Sequence, residues 1–81
     1  MKIAVKLFAR ARDLVGSGDV ELALPDGSRV GVLRALLRER YPQLGPIAGS
    51  LLIAVNQGYA GDDTVLSPSD EVACFPPVSG G

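Results

Sequence analysis

The sequence predicts an α+β fold, in which a mixed sheet of four or five strands is covered on one face by one main helix. Segments 2–8, 19–24 and 71–75 alternate apolar and polar residues, which is typical of strands with one buried face. Segment 28–41 instead repeats its apolar residues at helical spacing. Because strands precede and follow this helix in a chain of only 81 residues, one two-layer domain is expected.

The first two predicted strands lie on either side of a glycine-rich loop. In residues 2–8 the odd-numbered positions are aliphatic, so Phe8 shares the opposite face with two lysines. A short helical turn is expected around 11–15, before the Gly-Ser-Gly loop. Residues 19–24 alternate again, which predicts an antiparallel partner for the first strand.

The main helix is predicted over 28–41. Ser28 follows a Pro-Asp-Gly turn and is the expected N-cap. The apolar stripe runs to Tyr41, and Pro42 ends the helix. The segment 42–50 contains two prolines and two glycines, which predicts a loop. Three arginines fall off the apolar stripe and are expected to form a solvated basic face: Arg34, Arg38 and Arg40.

The second half of the chain completes the sheet. Residues 51–56 are apolar on both faces, which indicates an inner strand, and 57–60 is expected to start a short strand. The last strand, 71–75, ends at two prolines, which have no N–H to donate to a ladder. A roll of this kind most often has the β-grasp (ubiquitin-like) topology. We therefore expect a β-grasp domain over 1–75 and an extended tail over 76–81.

Composition excludes several classes of function. The chain has no histidine and one cysteine, so a structural zinc site, a Cys–His nucleophile pair and an internal disulfide are not expected. The net charge of −1 argues against nucleic acid as a partner. The N-terminal sequence has no long apolar run and no cleavage-site pattern, so neither a signal peptide nor a membrane span is expected. With a single cysteine, which is typical of a reducing compartment, a cytoplasmic location is expected.

The C-terminal tail is the candidate reactive segment. After the two prolines come Val78, Ser79 and the final pair Gly80-Gly81. Glycines without Cβ atoms suit a narrow channel in another protein. Adenylation would turn the α-carboxylate into an electrophile, and attack by a sulfur donor would then give a thiocarboxylate. The alternative is an ordinary frayed end.

Aromatic residues are predicted on the sheet face that the helix leaves open. Phe8 and Phe75 both alternate away from the helix side, and Tyr59, after the inner strand, is placed to join them. An exposed apolar patch of this kind usually marks a partner site. The alternatives are ordinary scatter of surface residues and a second minor core under 42–50. Cys74, on the inward face, is expected to be a core residue.

Three segments resemble the small subunit of molybdopterin synthase, the MoaD family of ubiquitin-like sulfur carriers. They are LFARARDLVG at 7–16, LLIAVNQ at 51–57 and DEVACFPPVSGG at 70–81, and the last is the most specific. The resemblance spans the whole chain, although 28–41 matches only in pattern. It implies a β-grasp fold without a cofactor of its own.

The resemblance also implies a reaction cycle. An E1-like adenylyltransferase would activate Gly81 with ATP, and sulfur would be installed there as a thiocarboxylate. The carrier would then insert its tail into the large synthase subunit, in a heterotetramer, and donate sulfur to cyclic pyranopterin monophosphate. The chain alone would not be an enzyme. Gly81 would bear the sulfur and Gly80 would give the tail clearance.

The resemblance assigns the partner interface as well. Two positions depart from the family pattern: Cys74 stands where an aromatic residue is common, and Tyr59 where an aliphatic residue is common. The residues matched to the large-subunit interface are Phe8, Tyr59, Phe75, Pro76, Pro77 and Val78.

Other readings of the sequence stay open. A carrier for thiamine thiazole synthesis also ends in Gly-Gly, but such carriers are typically shorter and lack the FARARDLVG segment. A ubiquitin-like modifier that conjugates to lysines shares the ancestry. A plain interaction domain with an inert tail belongs to a different class, and capping its C-terminus would have no effect.

Overall fold

The computed structural model describes residues 1–77, which form one sheet with helices packed against it. The strands are Lys2–Leu7 (β1), Asp19–Ala23 (β2), Leu52–Val55 (β3), Gly58–Tyr59 (β4) and Val72–Phe75 (β5). The helices are Ala9–Val15 (α1), Val30–Arg40 (α2) and Gly45–Ala48 (α3), with a 3₁₀ turn at Pro42–Leu44. Each predicted strand is found within two residues of its predicted bounds.

The strand order across the sheet is β2-β1-β5-β3-β4. The N-terminal strand β1 and the C-terminal strand β5 lie side by side and run parallel, whereas the other neighbouring strands pair antiparallel. With α2 packed across one face, this is the predicted β-grasp arrangement. The α+β prediction with a mixed sheet and one main helix is therefore confirmed.

The core lies between the sheet and α2. The helix contributes Val30, Leu33 and Leu37, all fully buried, and the alternate residues of the strands meet them from the other side. Alternation is regular in β1, where inward residues are buried and outward ones exposed. The sheet therefore has one dry face under α2 and one open face.

The main helix starts two residues later than predicted, and Ser28 is not its cap. The N-cap is Arg29, without a side-chain hydrogen bond, and the Ser28 hydroxyl donates instead to the Pro25 carbonyl (2.6 Å). The first helical amides are satisfied by the loop before β5: Val30 N–H donates to the Thr64 carbonyl (2.9 Å) and Gly31 N–H to the Asp62 carbonyl (3.0 Å). Because backbone carbonyls from a distant loop cap the helix, no capping side chain is needed.

The prediction of a loop over 42–50 is wrong. The 3₁₀ turn and α3 occupy most of it, and each proline lies in the first turn of its helix, where its missing N–H costs nothing. Leu44 and Ala48, one helical turn apart, are buried, and Leu44 belongs to the main core. The alternative of a second minor core under 42–50 is therefore wrong as well, because Leu44 packs in the main core.

Arg34 does not belong to a solvated basic face. Its guanidinium donates to the carbonyls of Ala48 (2.9 Å) and Leu51 (2.8 Å) and lies 3.1 Å from the carboxylate of Asp62. The side chain thus joins α2 to α3, to the start of β3 and to the loop that caps α2. The other two arginines of the helix are exposed, as predicted.

The predicted tail, 76–81, begins where β5 ends. Pro76 is half-buried and Pro77 is exposed. The predictions for Val78, Gly80 and Gly81 fall outside the described residues. Within residues 1–77, no helix has the length and apolarity needed to span a bilayer.

Candidate functional site

The open face of the sheet carries a row of apolar side chains, Phe8, Phe75 and Leu52, at the end where β5 finishes, and we call it the aromatic row. Phe75 pairs with Leu52 across β5 and β3, and its ring stacks on that of Phe8, with centroids 4.8 Å apart and planes 7° apart. Phe8 is 41% exposed and Leu52 is 37% exposed. A stacked pair that stays open to solvent is available to a partner.

The backbone around Phe8 holds its ring against β5. Phe8 N–H donates to the carbonyl of Cys74 (3.2 Å), and the carbonyl of Phe8 accepts from the amide of Ala11 (3.2 Å). Between them Ala9 has a φ of 51°, a left-handed conformation that costs a non-glycine residue about 1–2 kcal/mol. The chain turns sharply there from β1 into α1, which leaves Phe8 stacked on Phe75.

Next to this row lies a groove of about 430 Å³ whose floor is two alanines. Ala73 of β5 and Ala54 of β3 are direct cross-strand partners, and we call this hollow the alanine groove. Its sides include Phe75, Lys6 and Tyr59. Ala54 is 8% exposed although it lies on the open face, because larger neighbours surround it.

A tight hairpin carries Tyr59 to the groove. Asn56 and Gln57 link β3 to β4 with φ angles of 52° and 72°, the signature of a two-residue type I′ turn. Tyr59 then pairs with Ala54 and is 76% exposed. The ring therefore lies at the edge of the sheet that β4 forms.

The same hairpin is fastened to the start of β5. The side-chain amide of Asn56 accepts from the backbone N–H of Glu71 (3.0 Å) and donates to the carboxylate of Asp70 (2.9 Å). Asp70 also accepts from the backbone N–H of Ser67 (2.7 Å). The Ser67 bond, and after it the Asn56 bond, hold the pKa of Asp70 below its usual value. These bonds hold the β3–β4 turn against the segment that leads into β5.

Cys74 lies on the opposite side of β5, inside the core. It is fully buried, and burial raises the pKa of its thiol to about 12, against a smaller opposing effect of the Arg34 charge. A thiol with this pKa is protonated at neutral pH and is a poor nucleophile. The prediction of a core cysteine is confirmed.

The structure brings three of the predicted interface residues together. Phe8 and Phe75 are in contact, and Tyr59 lines the same groove. Pro76 follows directly, whereas Val78 and the two terminal glycines lie outside residues 1–77. Sequence reasoning missed Leu52 and the two floor alanines. The alternation of 51–56 places Leu52 and Ala54 on one face, so the signal was present in the sequence.

Comparison with known proteins decides the family. The ThiS family matches residues 5–81. The chain belongs to the ThiS family. The predicted resemblance to the MoaD family is confirmed by relatives named molybdopterin synthase sulfur carrier subunit, which match nearly the whole of this chain.

Two of these relatives illustrate the similarity. The molybdopterin synthase sulfur carrier subunit of Escherichia coli is 44% identical over 82 residues, covering 98% of this chain and 99% of the relative. That of Arabidopsis thaliana is 37% identical over 81 residues, covering 100% of this chain and 84% of the relative.

Solved structures agree with the ThiS fold. SAMP1 from Haloferax volcanii superposes with a TM-score of 0.87 at 28% identity, each chain being fully covered. A putative molybdopterin converting factor subunit 1 from Pyrococcus furiosus gives 0.85 at 35% identity, with 96% of this chain and 99% of that one covered. A complex of subunits 1 and 2 of molybdopterin-converting factor from Helicobacter pylori gives 0.72 at 26% identity over both full lengths.

Proposed function

We propose that this chain is the sulfur carrier subunit of a molybdopterin synthase and that the carboxyl group of Gly81 carries the sulfur. The observation that supports this best is the full-length similarity to carriers of that name, 44% identical in the Escherichia coli case. The fold contributes a second argument. The described residues present an open aromatic face directly beside the point where β5 leads into the tail.

The proposed chemistry takes place at the carboxyl group of Gly81. A carboxylate oxygen of Gly81 attacks the α-phosphorus of ATP in an E1-like partner, releasing pyrophosphate and leaving an acyl-adenylate. A sulfur donor at the oxidation level of sulfide then displaces AMP, which leaves with one carboxyl oxygen, so that sulfur takes its place in a thiocarboxylate. In the large synthase subunit this sulfur passes to cyclic pyranopterin monophosphate, and an oxygen from water restores the carboxylate of Gly81. The Cys74 thiol is buried and a poor nucleophile, so we assign it no step in this chemistry. The role proposed for the rest of the domain is to bind and position the partner enzymes.

Intact-mass measurement tests the proposal. The carrier is incubated with ATP, an adenylating enzyme and a sulfur donor, and its C-terminal peptide is analysed. The peptide should gain the mass of sulfur minus that of oxygen, and only when ATP is present. An unchanged peptide mass in a mixture that converts a known carrier would contradict the proposal.

We propose that the aromatic row binds the large subunit, because it is an apolar surface on the open face of the sheet. A complex of subunits 1 and 2 of a molybdopterin-converting factor is among the solved structures similar to this chain. Phe75→Ala removes one ring of the stack and exposes Phe8 on one side. We expect this change to weaken the complex by about 2 kcal/mol or more, because aromatic residues in interface centres dominate binding. Isothermal titration with the large subunit measures the loss.

A matched control separates binding from folding. Val32 is 47% exposed on α2, which covers the other face of the sheet. Val32→Ala should leave both the affinity and the melting temperature unchanged. If Phe75→Ala lost thermal stability and affinity in proportion, the ring would be a core residue rather than an interface anchor.

A second candidate function has a specific observation in its favour. The small archaeal modifier protein 1 of Haloferax volcanii superposes with a TM-score of 0.85 at 26% identity. Conjugation of Gly81 to lysine side chains of other proteins is therefore a candidate activity. It would appear as isopeptide-linked species by mass spectrometry, which a carrier restricted to thiocarboxylate chemistry does not form.

A further inference from the structure

We propose that the free edge of β2 is closed to strand addition by a second copy of this chain, and that Ser17 and Pro25 close it. β2 is the outermost strand on one side of the sheet and is five residues long. An edge strand presents backbone N–H and C=O groups on which another chain can build a further strand. The inference goes beyond the proposed function and does not depend on it.

The register between β1 and β2 shows which backbone groups lie at this edge. Leu7 N–H donates to the carbonyl of Gly18 (2.9 Å), at one end of the pairing. Leu24 N–H donates to the carbonyl of Met1 (2.8 Å), at the other end. In an antiparallel pair, residues bonded to the neighbouring strand alternate with residues whose N–H and C=O point away from it. The residues of β2 that point these groups to the free edge are therefore Asp19, Glu21 and Ala23.

Ser17 closes the end of the edge at which β2 begins. Its hydroxyl donates to the carbonyl of Asp19 (2.8 Å) and accepts from the N–H of the same residue (3.3 Å). One side chain thus occupies both outward groups of Asp19. A strand added here would have to displace the hydroxyl, and the exchange of one hydrogen bond for another contributes little net free energy.

Pro25 closes the other end of the edge. Because Leu24 is bonded to Met1, the next position that faces the edge is Pro25. Proline has no N–H to donate. Its carbonyl already accepts from the hydroxyl of Ser28 (2.6 Å) and from the N–H of Ser28 (3.2 Å). Within β2, the outward groups that remain open to a new strand are those of Glu21 and Ala23.

The two closures coincide when a second copy approaches. A two-fold dimer joined at this edge pairs the two β2 strands antiparallel, with the same patch on both copies. The register that places Glu21 opposite Ala23 also places Asp19 opposite Pro25, so both ends of the ladder are closed. Two residues per strand remain, against about 3–10 in the strands of globular proteins. The register that places Glu21 opposite itself is disfavoured further, because like charges then face each other.

The opposite edge of the sheet is closed by its length. β4 is two residues long, and Ala60 N–H donates to the carbonyl of Ile53 (2.9 Å). The same alternation then leaves Tyr59, which pairs with Ala54, as the residue of β4 that points its backbone groups outward. One residue does not build a ladder. β2 is therefore the edge at which closing side chains are needed.

Sedimentation equilibrium of Ser17→Ala/Pro25→Ala tests the inference. The double variant frees the outward groups of Asp19 and restores an N–H at position 25, so the dimer Kd should fall about tenfold or more. Pro68→Ala/Ser69→Ala is the matched control, because it makes the same two changes at exposed positions of the turn before β5. It should sediment as the wild type does. A double variant that stays as monomeric as the wild type would overturn the inference.

Amide hydrogen exchange locates the new contact. In the dimer of the double variant, the amides of Glu21 and Ala23 should become protected. Those of Val20 and Leu22 face β1 in monomer and dimer alike and serve as the internal reference. Dimerisation that leaves Glu21 and Ala23 unprotected would place the contact elsewhere and overturn the inference.

A single variant gives a measurement that does not depend on the folding of the double variant. Ser17 is exposed, so Ser17→Ala should keep the wild-type melting temperature. The Asp19 amide should lose protection in its monomer, while the Val20 amide keeps it. An Asp19 amide that exchanges at the wild-type rate would mean that the hydroxyl does not occupy the edge, and would overturn the inference. None of these measurements uses a partner enzyme, so a failure of the proposed function leaves them unaffected.

Discussion

Adding one alanine after Gly81 is expected to abolish sulfur transfer while the melting temperature stays unchanged. The extra residue moves the terminal carboxyl group by about 3.5 Å along the chain. A misplacement of about 1 Å can already cost 10²-fold in rate when reacting groups must be aligned. The fold should not respond, because within residues 1–77 the last strand ends at Phe75 and the last residue of the core is Cys74.

Product formation with the adenylating enzyme, the sulfur donor and the large subunit measures this effect, with the intact mass checked before and after. Deleting Gly81 should give the same loss, since it shortens the reach by a similar distance. The control is rescue: trimming the added alanine with a carboxypeptidase should restore activity. If the extended chain supported product formation at the wild-type rate with its added alanine still present, the terminal Gly-Gly would have no role in sulfur transfer and the carrier mechanism would be excluded.

Local patterns were sufficient to predict the sheet. Every second residue of β1 is buried. Successive side chains of a strand point to opposite faces, so a strand with one buried face shows apolar residues at every second position of its sequence. The proline after Phe75 marked the end of β5 for an equally local reason, because proline cannot continue a ladder. The stripe of α2 is likewise visible in the sequence. In these elements the signal lies within the segment itself, so it can be detected without knowing which other segments pack against it.

Two of the errors arose where distant backbone replaced a local signal, and a third arose from the local preference of proline. Ser28 has the side chain of an N-cap, but the loop at 62–64 supplies the carbonyls that accept the first helical amides. Arg34 looks like a surface cation on a helical wheel, yet two backbone carbonyls and Asp62 hold it. The prolines of 42–50 suggested a loop, although proline is compatible with the first turn of a helix.

The faces on which the site residues lie could be predicted from the sequence, but the contacts between them could not. Alternation places Phe8 and Phe75 on the open face, but their stacking depends on β1 and β5 being parallel neighbours, which joins the two ends of the chain. The alanine groove depends on register: Ala54 opposite Ala73 makes a hollow, whereas a shift of one residue would turn Ala54 inward. No single segment carries that information.

Truncation of the leucines under the sheet is expected to give the largest loss of stability. Leu33 and Leu37 lie one helical turn apart on α2 and are fully buried in the main core. Replacing either with alanine should cost about 2–5 kcal/mol, because the lost transfer energy is joined by the cost of a cavity that close-packed neighbours fill only in part. For a domain of this size each kcal/mol lowers the melting temperature by about 4–8 °C.

Thermal and urea unfolding of Leu33→Ala and Leu37→Ala measure the loss, and the exposed Val32 on the same helix provides the control. Val32→Ala should stay within about 0.5 kcal/mol of wild type. The folded leucine variants should still bind the large subunit at low temperature, because α2 covers the face of the sheet opposite the aromatic row. Wild-type melting temperatures in both variants would mean that α2 does not pack on the sheet through this stripe.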